Sequence, residues 1–326
     1  FDTTWTTTNS TETANYAIAP DGTKTAWRLI DDSGTGSGPV SLAQAITLPA
    51  SGNWCYSIHV KADQVSEAAL RFFGFDSGDE TGYFNMGTGE VGTQSADIDG
   101  AGIIPLPDGW FRIWSVISET TDLMGDVRIH VAESGSNIVP RDGTSSILIW
   151  GAQVEAGSFP SSYIATAAAA VTRNSDVLTA PAAGNADTFP MTVSVDLTRQ
   201  NIDLSGVVLQ IDDGGNTDRT ALLLSNGAPR LFVASAGATQ ADIQPSGAAL
   251  TVGVPSTMSG VTAENDVELY ANGVSLGADA SASVPVDALT VIRVGYNAIG
   301  IDQLGANIRN VKIFDERLTD AEVADL

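Results

Sequence analysis

Short stretches in which apolar and polar residues alternate dominate this sequence. From Val127 to Val131 the first, third and fifth residues are apolar, and the same alternation runs from Tyr56 to Lys61. Successive side chains of a β-strand point to opposite faces, so a period of two predicts strands with one buried and one solvated face. Such strands are typical of antiparallel sheets. The chain is therefore expected to fold as β-sheets.

The strand patterns fall into two sets along the chain. Turn residues such as Pro20-Asp21-Gly22 separate seven or more strands in the first half, and this spacing predicts a β-sandwich. An Ala-rich region at 165–185 lacks the alternation and is interpreted as a linker. Strand patterns then resume. We expect an all-β protein with two β-sandwich (jelly-roll) domains, residues 1–178 and 186–326, with the linker region at 165–185.

Two local signals mark the second half. The pair Asn272-Gly273 predicts a type I′ hairpin turn, because both central positions of that turn need positive φ. Thr319 and Glu322 have the spacing of a capping box, with Leu318 and Val323 placed for the accompanying hydrophobic staple. These residues predict a short C-terminal helix with a structural role.

Acidic residues greatly outnumber basic ones. The 326 residues include 39 Asp and Glu against 15 Lys and Arg, a formal net charge of −24. Nucleic-acid binding needs clustered basic residues, so no nucleic-acid partner is expected. No apolar run reaches the length of a membrane span, so no membrane insertion is expected. One cysteine, Cys55, and two histidines exclude an intrachain disulfide framework and a His-rich metal site.

A long stretch of the first domain carries a family resemblance. It is Leu148-Ile149-Trp150-Gly151-Ala152-Gln153-Val154-Glu155-Ala156-Gly157-Ser158-Phe159-Pro160-Ser161-Ser162-Tyr163-Ile164, followed by Val171-Thr172-Arg173-Asn174-Ser175-Asp176. Shorter pieces at 15–29, 56–62 and 108–112 agree in order. Residues 1 to about 178 thus resemble a β-sandwich module common in bacteriophage tail and head-appendage proteins, similar in character to carbohydrate-binding jelly rolls.

The second domain carries another resemblance. Its features are Val267-Glu268-Leu269-Tyr270-Ala271-Asn272-Gly273-Val274 and the ending from Ala306 to Val323. Residues from about 186 to 326 thereby resemble the concanavalin A-like, laminin-G-like lectin fold. In that family the first piece is a hairpin, and the last strand runs into a short helix. The resemblance implies a fold, and a fold does not by itself fix a function.

Residues for catalysis are sparse. Glycoside hydrolysis needs two positioned carboxylates, and the closest matches, Asp97 with Asp99 and Glu264 with Asp266, lie beside turn residues where solvated loops are common. No Gly-x-Ser-x-Gly motif occurs, and both histidines alternate onto strand faces. The sequence therefore predicts a protein that is not an enzyme.

Calcium is the one cofactor that the loops suggest. The run from Asp212 to Asp218 offers hard oxygen ligands on one loop, with Asp212, Asp213 and Asp218 as the ligand candidates. Residues 76–80 form a second acidic candidate. Neither loop has EF-hand spacing, and a solvated acidic turn is the alternative interpretation of each.

Glycan binding is predicted from aromatic and polar residues beside turns, since aromatic faces stack on sugar rings and polar groups bind their hydroxyls. Trp54, Trp114 and Trp150 lie in strand patterns and are assigned to the core. The candidates for display are Tyr83, Trp110 and Tyr296, with core burial as the alternative. The polar groups expected to form a rim around Tyr296 are Asp213, Asn216, Arg219 and Asn297.

These expectations combine into a fibre or spike component of a virion, exposed to the extracellular medium, that recognises a host cell-surface polysaccharide. Other virion structural proteins are the expected partners, and a homo-oligomer, most simply a trimer, would supply avidity. Two alternatives stay open. The chain would otherwise be a structural or decoration protein of the particle, or the non-catalytic binding modules of a secreted polysaccharide-degrading enzyme.

Overall fold

The computed structural model describes residues 1, 4–75, 78–166, 169–172, 177–199, 205–251, 253–285, 287–299 and 304–326. The chain forms two compact units, Phe1–Val171 and Thr172–Leu326. Both are built from β-sheets, and one short helix lies at the C-terminal end of the described chain. The expected all-β class with sandwich sheets and a short C-terminal helix is confirmed.

The described part of the first unit contains fourteen strands. They are β1 (Trp5–Thr8), β2 (Ser10–Ala17), β3 (Ala26–Asp31), β4 (Ser37–Pro39), β5 (Ser41–Thr47), β6 (Gly52–Ala62), β7 (Glu67–Phe75), β8 (Gly78–Asn85), β9 (Glu90–Gln94), β10 (Gly100–Pro105), β11 (Trp110–Glu119), β12 (Met124–Ala132), β13 (Ile138–Pro140) and β14 (Ser146–Ala156).

Two six-stranded antiparallel sheets enclose the core of the first unit. Their strand orders are β1-β5-β12-β7-β8-β9 and β10-β11-β6-β14-β3-β2. Alternation places Val127, Ile129 and Val131 of β12 in the core together with Tyr56 and Phe72. Burying a side chain of this size stabilises the fold by roughly 1.5–3 kcal/mol. The period-two pattern therefore fixes which face of each strand packs inward.

The stretch that carries the phage-module resemblance fastens the end of the first unit. Gly151 has φ +61° and lies in a β-bulge between Trp150 and Gln153. After β14 the chain turns back, and the Gln153 side-chain oxygen accepts a hydrogen bond from the Ile164 backbone N–H at 2.9 Å. The Tyr163 ring packs 4.7 Å from the Trp150 ring. In the described chain these residues hold a return segment against the sheet, which is a structural role.

The described part of the second unit contains eleven strands and one helix. They are β15 (Leu178–Pro181), β16 (Met191–Arg199), β17 (Gly206–Asp212), β18 (Arg219–Ser225), β19 (Ala228–Ser235), β20 (Ala238–Ile243), β21 (Ser256–Ala263), β22 (Asp266–Ala271), β23 (Val274–Asp279), β24 (Val291–Val294), β25 (Ala306–Phe314) and α1 (Asp320–Ala324).

The second unit packs a six-stranded sheet, β15-β24-β17-β18-β19-β20, against a five-stranded sheet, β23-β22-β21-β16-β25. Asn272 and Gly273 join β22 to β23 with φ values of +49° and +74°, as the hairpin signal predicts. Thr319 and Glu322 form both halves of the predicted capping box. Both local predictions for this half are confirmed.

The predicted linker requires a correction. Its last part, Leu178–Pro181, forms β15 and pairs with Val291–Val294 at the edge of the six-stranded sheet. Ala182 and Ala186 are buried in the core of the second unit. An alanine-rich sequence lacks the alternation that predicts a strand. Its small side chains nevertheless fit where the backbone packs closely against a core. Of the motif at 171–176, residues 173–176 lie outside the described residues.

Across the described residues, the structure contains no helix with the length and apolar character required to cross a membrane.

Candidate functional site

The outer face of the five-stranded sheet in the second unit is polar. Along β16, Val193, Val195 and Leu197 point into the core. Alternation turns Ser194 and Asp196 to the opposite face. The β-pattern thus builds a row of hydrogen-bonding side chains on strands rather than on loops.

The C-terminal segment covers one half of this face. The Tyr270 hydroxyl donates to Asp320 at 2.8 Å, and the Thr192 hydroxyl donates to the Glu316 carbonyl at 2.8 Å. Leu318 and Val323 are buried against Tyr270. The helix therefore seals this end of the sheet, which agrees with its predicted structural role.

The other half of the face is a pocket of about 240 Å³. Its lining combines carboxylate, amide, hydroxyl and guanidinium groups with two apolar side chains. The residues are Asp196, Leu197, Thr198, Pro255, Ser256, Thr257, Asn272, Arg309 and Asn310. They come from β16, β21 and β25 and from the two turns beside them.

Asp196 is held firmly at the centre of this pocket. Asn310 Nδ2 donates to one carboxylate oxygen at 2.8 Å, and Thr257 Oγ1 donates to the other at 2.7 Å. These two hydrogen bonds lower the pKa of Asp196, so the carboxylate is ionised at neutral pH. Each oxygen keeps a lone pair for a ligand hydroxyl.

Arg309 provides a free cation in the pocket. It lies directly opposite Asp196 in the β16–β25 ladder, next to a β-bulge where Asn310 has φ +45°. Ten of the eleven arginines that the structure describes form an ion pair or hydrogen bond with the protein; those ten are Arg28, Arg71, Arg112, Arg128, Arg141, Arg199, Arg219, Arg230, Arg293 and Arg317. The exposed Arg309 guanidinium is the exception within that part of the chain, so its five N–H donors are available.

This arrangement suits recognition of hydroxyl-rich molecules. Hydroxyl groups both donate and accept, which matches a carboxylate fixed beside an unpaired guanidinium and near amide and hydroxyl groups. The pocket lining contains no histidine, cysteine or lysine. The described geometry fits binding of a molecule of this kind.

The sequence-predicted calcium loop is arranged differently. Asp212 is fully buried, and its carboxylate pairs with Arg293 at 2.7 Å and accepts from the Gly214 N–H at 2.9 Å and from Gln210 Nε2 at 3.0 Å. Asp218 is also buried and accepts from the Ala236 backbone N–H. Asp213 accepts from the Gly215 N–H.

Calcium at this loop is therefore not supported. The protein's own donors occupy both oxygens of the Asp212 carboxylate, leaving no carboxylate cluster that faces an open site. In the described ranges, no three Asp, Glu, His or Cys side chains come together to hold a metal. Of the second acidic candidate at 76–80, residues 76 and 77 lie outside those ranges.

The predicted glycan rim comes together only in part. Asp212 bonds to Arg293, whose guanidinium lies 5.8 Å from the Tyr296 ring centroid, so the 212–219 loop and Tyr296 are near each other. Arg219 donates to the Asn216 carbonyl. Tyr296 and Asn297, however, are only 4% and 7% exposed. The expectation that Tyr296 is displayed is wrong, because its side chain is buried beside Arg293.

The two first-unit candidates also differ from each other. Trp110 is 2% exposed and its indole N–H donates to the Ile18 carbonyl at 3.1 Å, so the expectation of display is wrong here too. Tyr83 is half-buried on the outer face of β8, opposite Ala69. Of the tryptophans assigned to the core, Trp54 and Trp114 are buried and Trp150 is half-buried.

Sequence reasoning missed the pocket around Asp196. A signal was present in the last strand, where the apolar residues Ile308, Val311 and Ile313 are spaced by three and then by two. One extra residue in an alternating strand is the mark of a β-bulge. That bulge places Arg309 and Asn310 together at the pocket.

Comparison with known proteins found one family model similar to the second unit. The family model of the concanavalin A-like lectin/glucanases superfamily matches residues 172–324. None of the curated proteins compared with the chain matches it. The match of residues 172–324 supports the resemblance of the second unit to concanavalin A-like, laminin-G-like domains.

Solved structures show more distant similarity. A native heptameric SAP-like pentraxin from Limulus polyphemus has 16% identity and a TM-score of 0.34, covering 43% of this chain and 72% of its own. Sheep galectin-11 in complex with glycerol has 12% identity and a TM-score of 0.32, covering 44% and 100%. Domains LG4-5 of the mouse laminin α1 chain have 14% identity and a TM-score of 0.33, covering 82% and 84%. At these values the three likenesses carry no functional conclusion.

Proposed function

We propose that this protein recognises a glycan on a host cell surface through the pocket around Asp196. The observation that carries the proposal is the open polar pocket itself, with an ionised, hydrogen-bonded carboxylate beside an unpaired guanidinium. The match of residues 172–324 to the concanavalin A-like lectin/glucanases superfamily supports a carbohydrate ligand. The ligand is a neutral or cationic-group-bearing glycan, because a formal charge of −24 repels polyanions.

The setting that we propose is a fibre or spike of a bacteriophage or phage-like particle, exposed to the extracellular medium. It rests on the resemblance of the first 178 residues to phage appendage modules. Other virion structural proteins are then the partners that hold the chain on the particle. A homo-oligomer, most simply a trimer, would raise effective affinity 10²–10⁴-fold over one shallow site.

Glycan-array and whole-cell binding by the purified chain test the binding function. Arg309→Ala and Asp196→Ala should each weaken binding roughly tenfold or more, as expected for charge-assisted hydrogen bonds. Arg230→Ala is the matched control, because Arg230 forms an exposed ion pair with Asp242 on the other sheet. Arg309→Ala should leave the melting temperature unchanged, since Arg309 has no partner to lose within the described chain.

Unchanged binding in both pocket variants would overturn the assignment to this pocket. Reducing-sugar release from a bound polysaccharide would overturn the non-catalytic proposal. Absence of any glycan or cell binding by an oligomeric preparation would favour the structural alternative instead.

A further inference from the structure

A second polar face in the first unit combines two arginines and a histidine. Arg71 of β7 and Arg128 of β12 are direct cross-strand partners. Their neighbours on the core side, Leu70 and Ile129, are buried, so both arginines point outward. His130 is two residues beyond Arg128 and shares this outer face. Its cross-strand partner is Ala69, which in turn lies opposite Tyr83.

Both guanidinium groups lie against one aromatic ring. The Phe73 ring centroid is 3.8 Å from the Arg128 guanidinium carbon and 5.0 Å from that of Arg71. Two like charges directly opposite each other destabilise a sheet unless something compensates. Asp79 pairs with Arg71 at 2.8 Å and Asp126 pairs with Arg128 at 2.9 Å. The face is therefore electrically balanced as well as crowded.

Unpaired buried polar atoms are concentrated here. Among the described residues, twelve buried side-chain nitrogen or oxygen atoms have no hydrogen-bond partner, and four of them are Arg71 Nε, Arg128 Nε and the two ring nitrogens of His130. A buried polar group left unpaired costs about 1–3 kcal/mol. Such a concentration on one surface needs an explanation beyond packing.

The chemistry of the unpaired atoms defines what would satisfy them. His130 is 1% exposed, and burial together with Arg71 and Arg128 lowers its pKa to about 3, so the ring is neutral at pH 7. A neutral imidazole offers one donor and one acceptor, and each arginine Nε offers a donor. A ligand must therefore supply both acceptors and a donor, as adjacent hydroxyl groups do.

We propose that this face of the first unit, formed by Arg71, Phe73, Tyr83, Arg128 and His130, is a binding site for a neutral sugar residue. Hydroxyl groups pair with the arginine Nε atoms and with His130, and the apolar side of the sugar ring stacks on Phe73. The balance of two arginines by two aspartates favours a neutral ligand over an anionic one. The site is separate from the pocket of the second unit, so it goes beyond the function proposed above.

Binding requires the arginine side chains to move. Both guanidinium groups lie over the Phe73 ring, and one ion pair holds each of them, to the exposed Asp79 for Arg71 and to the half-buried Asp126 for Arg128. Side chains at binding surfaces commonly change rotamer on binding. When the guanidinium groups turn aside, one ring face and one imidazole edge become available together.

Nitrogen NMR of the full chain labelled only at histidine tests this site. The chain contains two histidines, His59 and His130, so His59 serves as the internal control. The probes are glucose, galactose, mannose and N-acetylglucosamine, each at millimolar concentration, with glucuronate as the anionic comparison. At least one neutral sugar should shift the His130 resonances while those of His59 stay in place.

Variants separate this site from the pocket of the second unit. Arg71→Met and Arg128→Met should each weaken the sugar response about tenfold or more, whereas Arg309→Ala should leave it unchanged. No His130 response to any of the four neutral sugars would overturn the proposal, and so would a response to glucuronate alone. Because the readout is local to His130, its failure leaves the pocket of the second unit untouched.

Discussion

Tyr296 lies buried, with its ring centroid 5.8 Å from the Arg293 guanidinium carbon, and its hydroxyl has no hydrogen-bond partner among the described residues. Tyr296→Ala should therefore lower the free energy of unfolding by about 3–5 kcal/mol, the usual cost of deleting a buried aromatic ring. Urea denaturation of the chain measures this loss.

Tyr296→Phe is the control for that substitution, since it keeps the ring and removes only the hydroxyl. Its stability should stay within about 1 kcal/mol of the parent chain, because no completed hydrogen bond is lost. A stable Tyr296→Ala variant would show that the ring is not part of the core.

His59 should make stability depend on pH. Burial, and next the positive charge of Arg112, lowers the pKa of His59 from 6.5 to about 4. In the unfolded chain the His59 imidazole is protonated below about pH 6.5. In the folded chain it stays neutral down to about pH 4. The free energy of unfolding should therefore fall as the pH drops through this window, by roughly 3 kcal/mol from this group.

His59→Phe isolates this contribution, since the substitution keeps a ring against Trp150 and Tyr163. The variant should lose less stability than the parent between pH 7 and pH 4 in parallel denaturant titrations. The pKa of His130 is also lowered, but His130 is present in both proteins and so does not affect the difference between them. Equal pH slopes in the two proteins would contradict the prediction.

Some features of single residues can be predicted from the sequence alone, and others cannot. Thr319 and Glu322, or Asn272 and Gly273, act through local geometry, so their spacing is sufficient to predict the cap and the turn. Exposure of Tyr296 or Trp110 depends on which distant strand covers the ring. The glycine and turn residues that flank each ring carry no information about which strand covers it. For this reason exposure of these two rings was predicted, whereas both are buried.

At the scale of the element, the packing around Gly151 explains why the motif in β14 has a glycine at this position. An added Cβ there would lie 3.0 Å from His59 Nδ1 and 3.3 Å from the Tyr163 ring, at φ +61°. Gly151→Ala should lower the free energy of unfolding by about 3 kcal/mol, combining backbone strain with overpacking. Chemical denaturation measures the effect.

Gly22→Ala is the matched control, because Gly22 has φ +83° and nothing lies within 4 Å of its added Cβ. Backbone strain alone should cost about 1–2 kcal/mol there. If both substitutions had the same effect, the close packing of His59 and Tyr163 on Gly151 would not contribute to stability.

The strands themselves were largely predictable, and the apolar spacing in the last strand even indicates a bulge, but the residues that the bulge brings together were not predictable. The last strand expected before the C-terminal helix is β25, Ala306–Phe314, at the start of the ending that carries the lectin-fold resemblance. The functional consequence lies in the bulge, where Asp196 faces Arg309 but Ser194 faces Lys312. One residue of β16, Val195, thus opposes two residues of β25, Asn310 and Val311. Only the partner strand reveals which residues share the pocket.

At the scale of the whole molecule, the boundary of the second unit can be tested with fragments. Residues 172–326 should fold alone, because this range contains every strand of both its sheets. A fragment of residues 186–326, the boundary expected from composition, lacks β15 and the buried Ala182. It should be less stable by about 2 kcal/mol, given the lost ladder hydrogen bonds.

Thermal unfolding followed by circular dichroism compares the two fragments. The longer one should melt in a single cooperative transition at the higher temperature. Equal melting temperatures would mean that β15 contributes nothing to the second unit and that the compositional boundary is adequate.

The described arginines other than Arg309 form ion pairs or hydrogen bonds within the protein. This affects how closely two copies of the protein can approach each other. Eight of these ten arginines form ion pairs with carboxylates of the same molecule, so few free cations offset the formal net charge of −24. Copies placed side by side, as in an array on a particle surface, would repel one another over the Debye length of about 8 Å at physiological ionic strength. The ionic strength then sets the distance between neighbouring copies. Low ionic strength would hold them apart, and high ionic strength would let them approach.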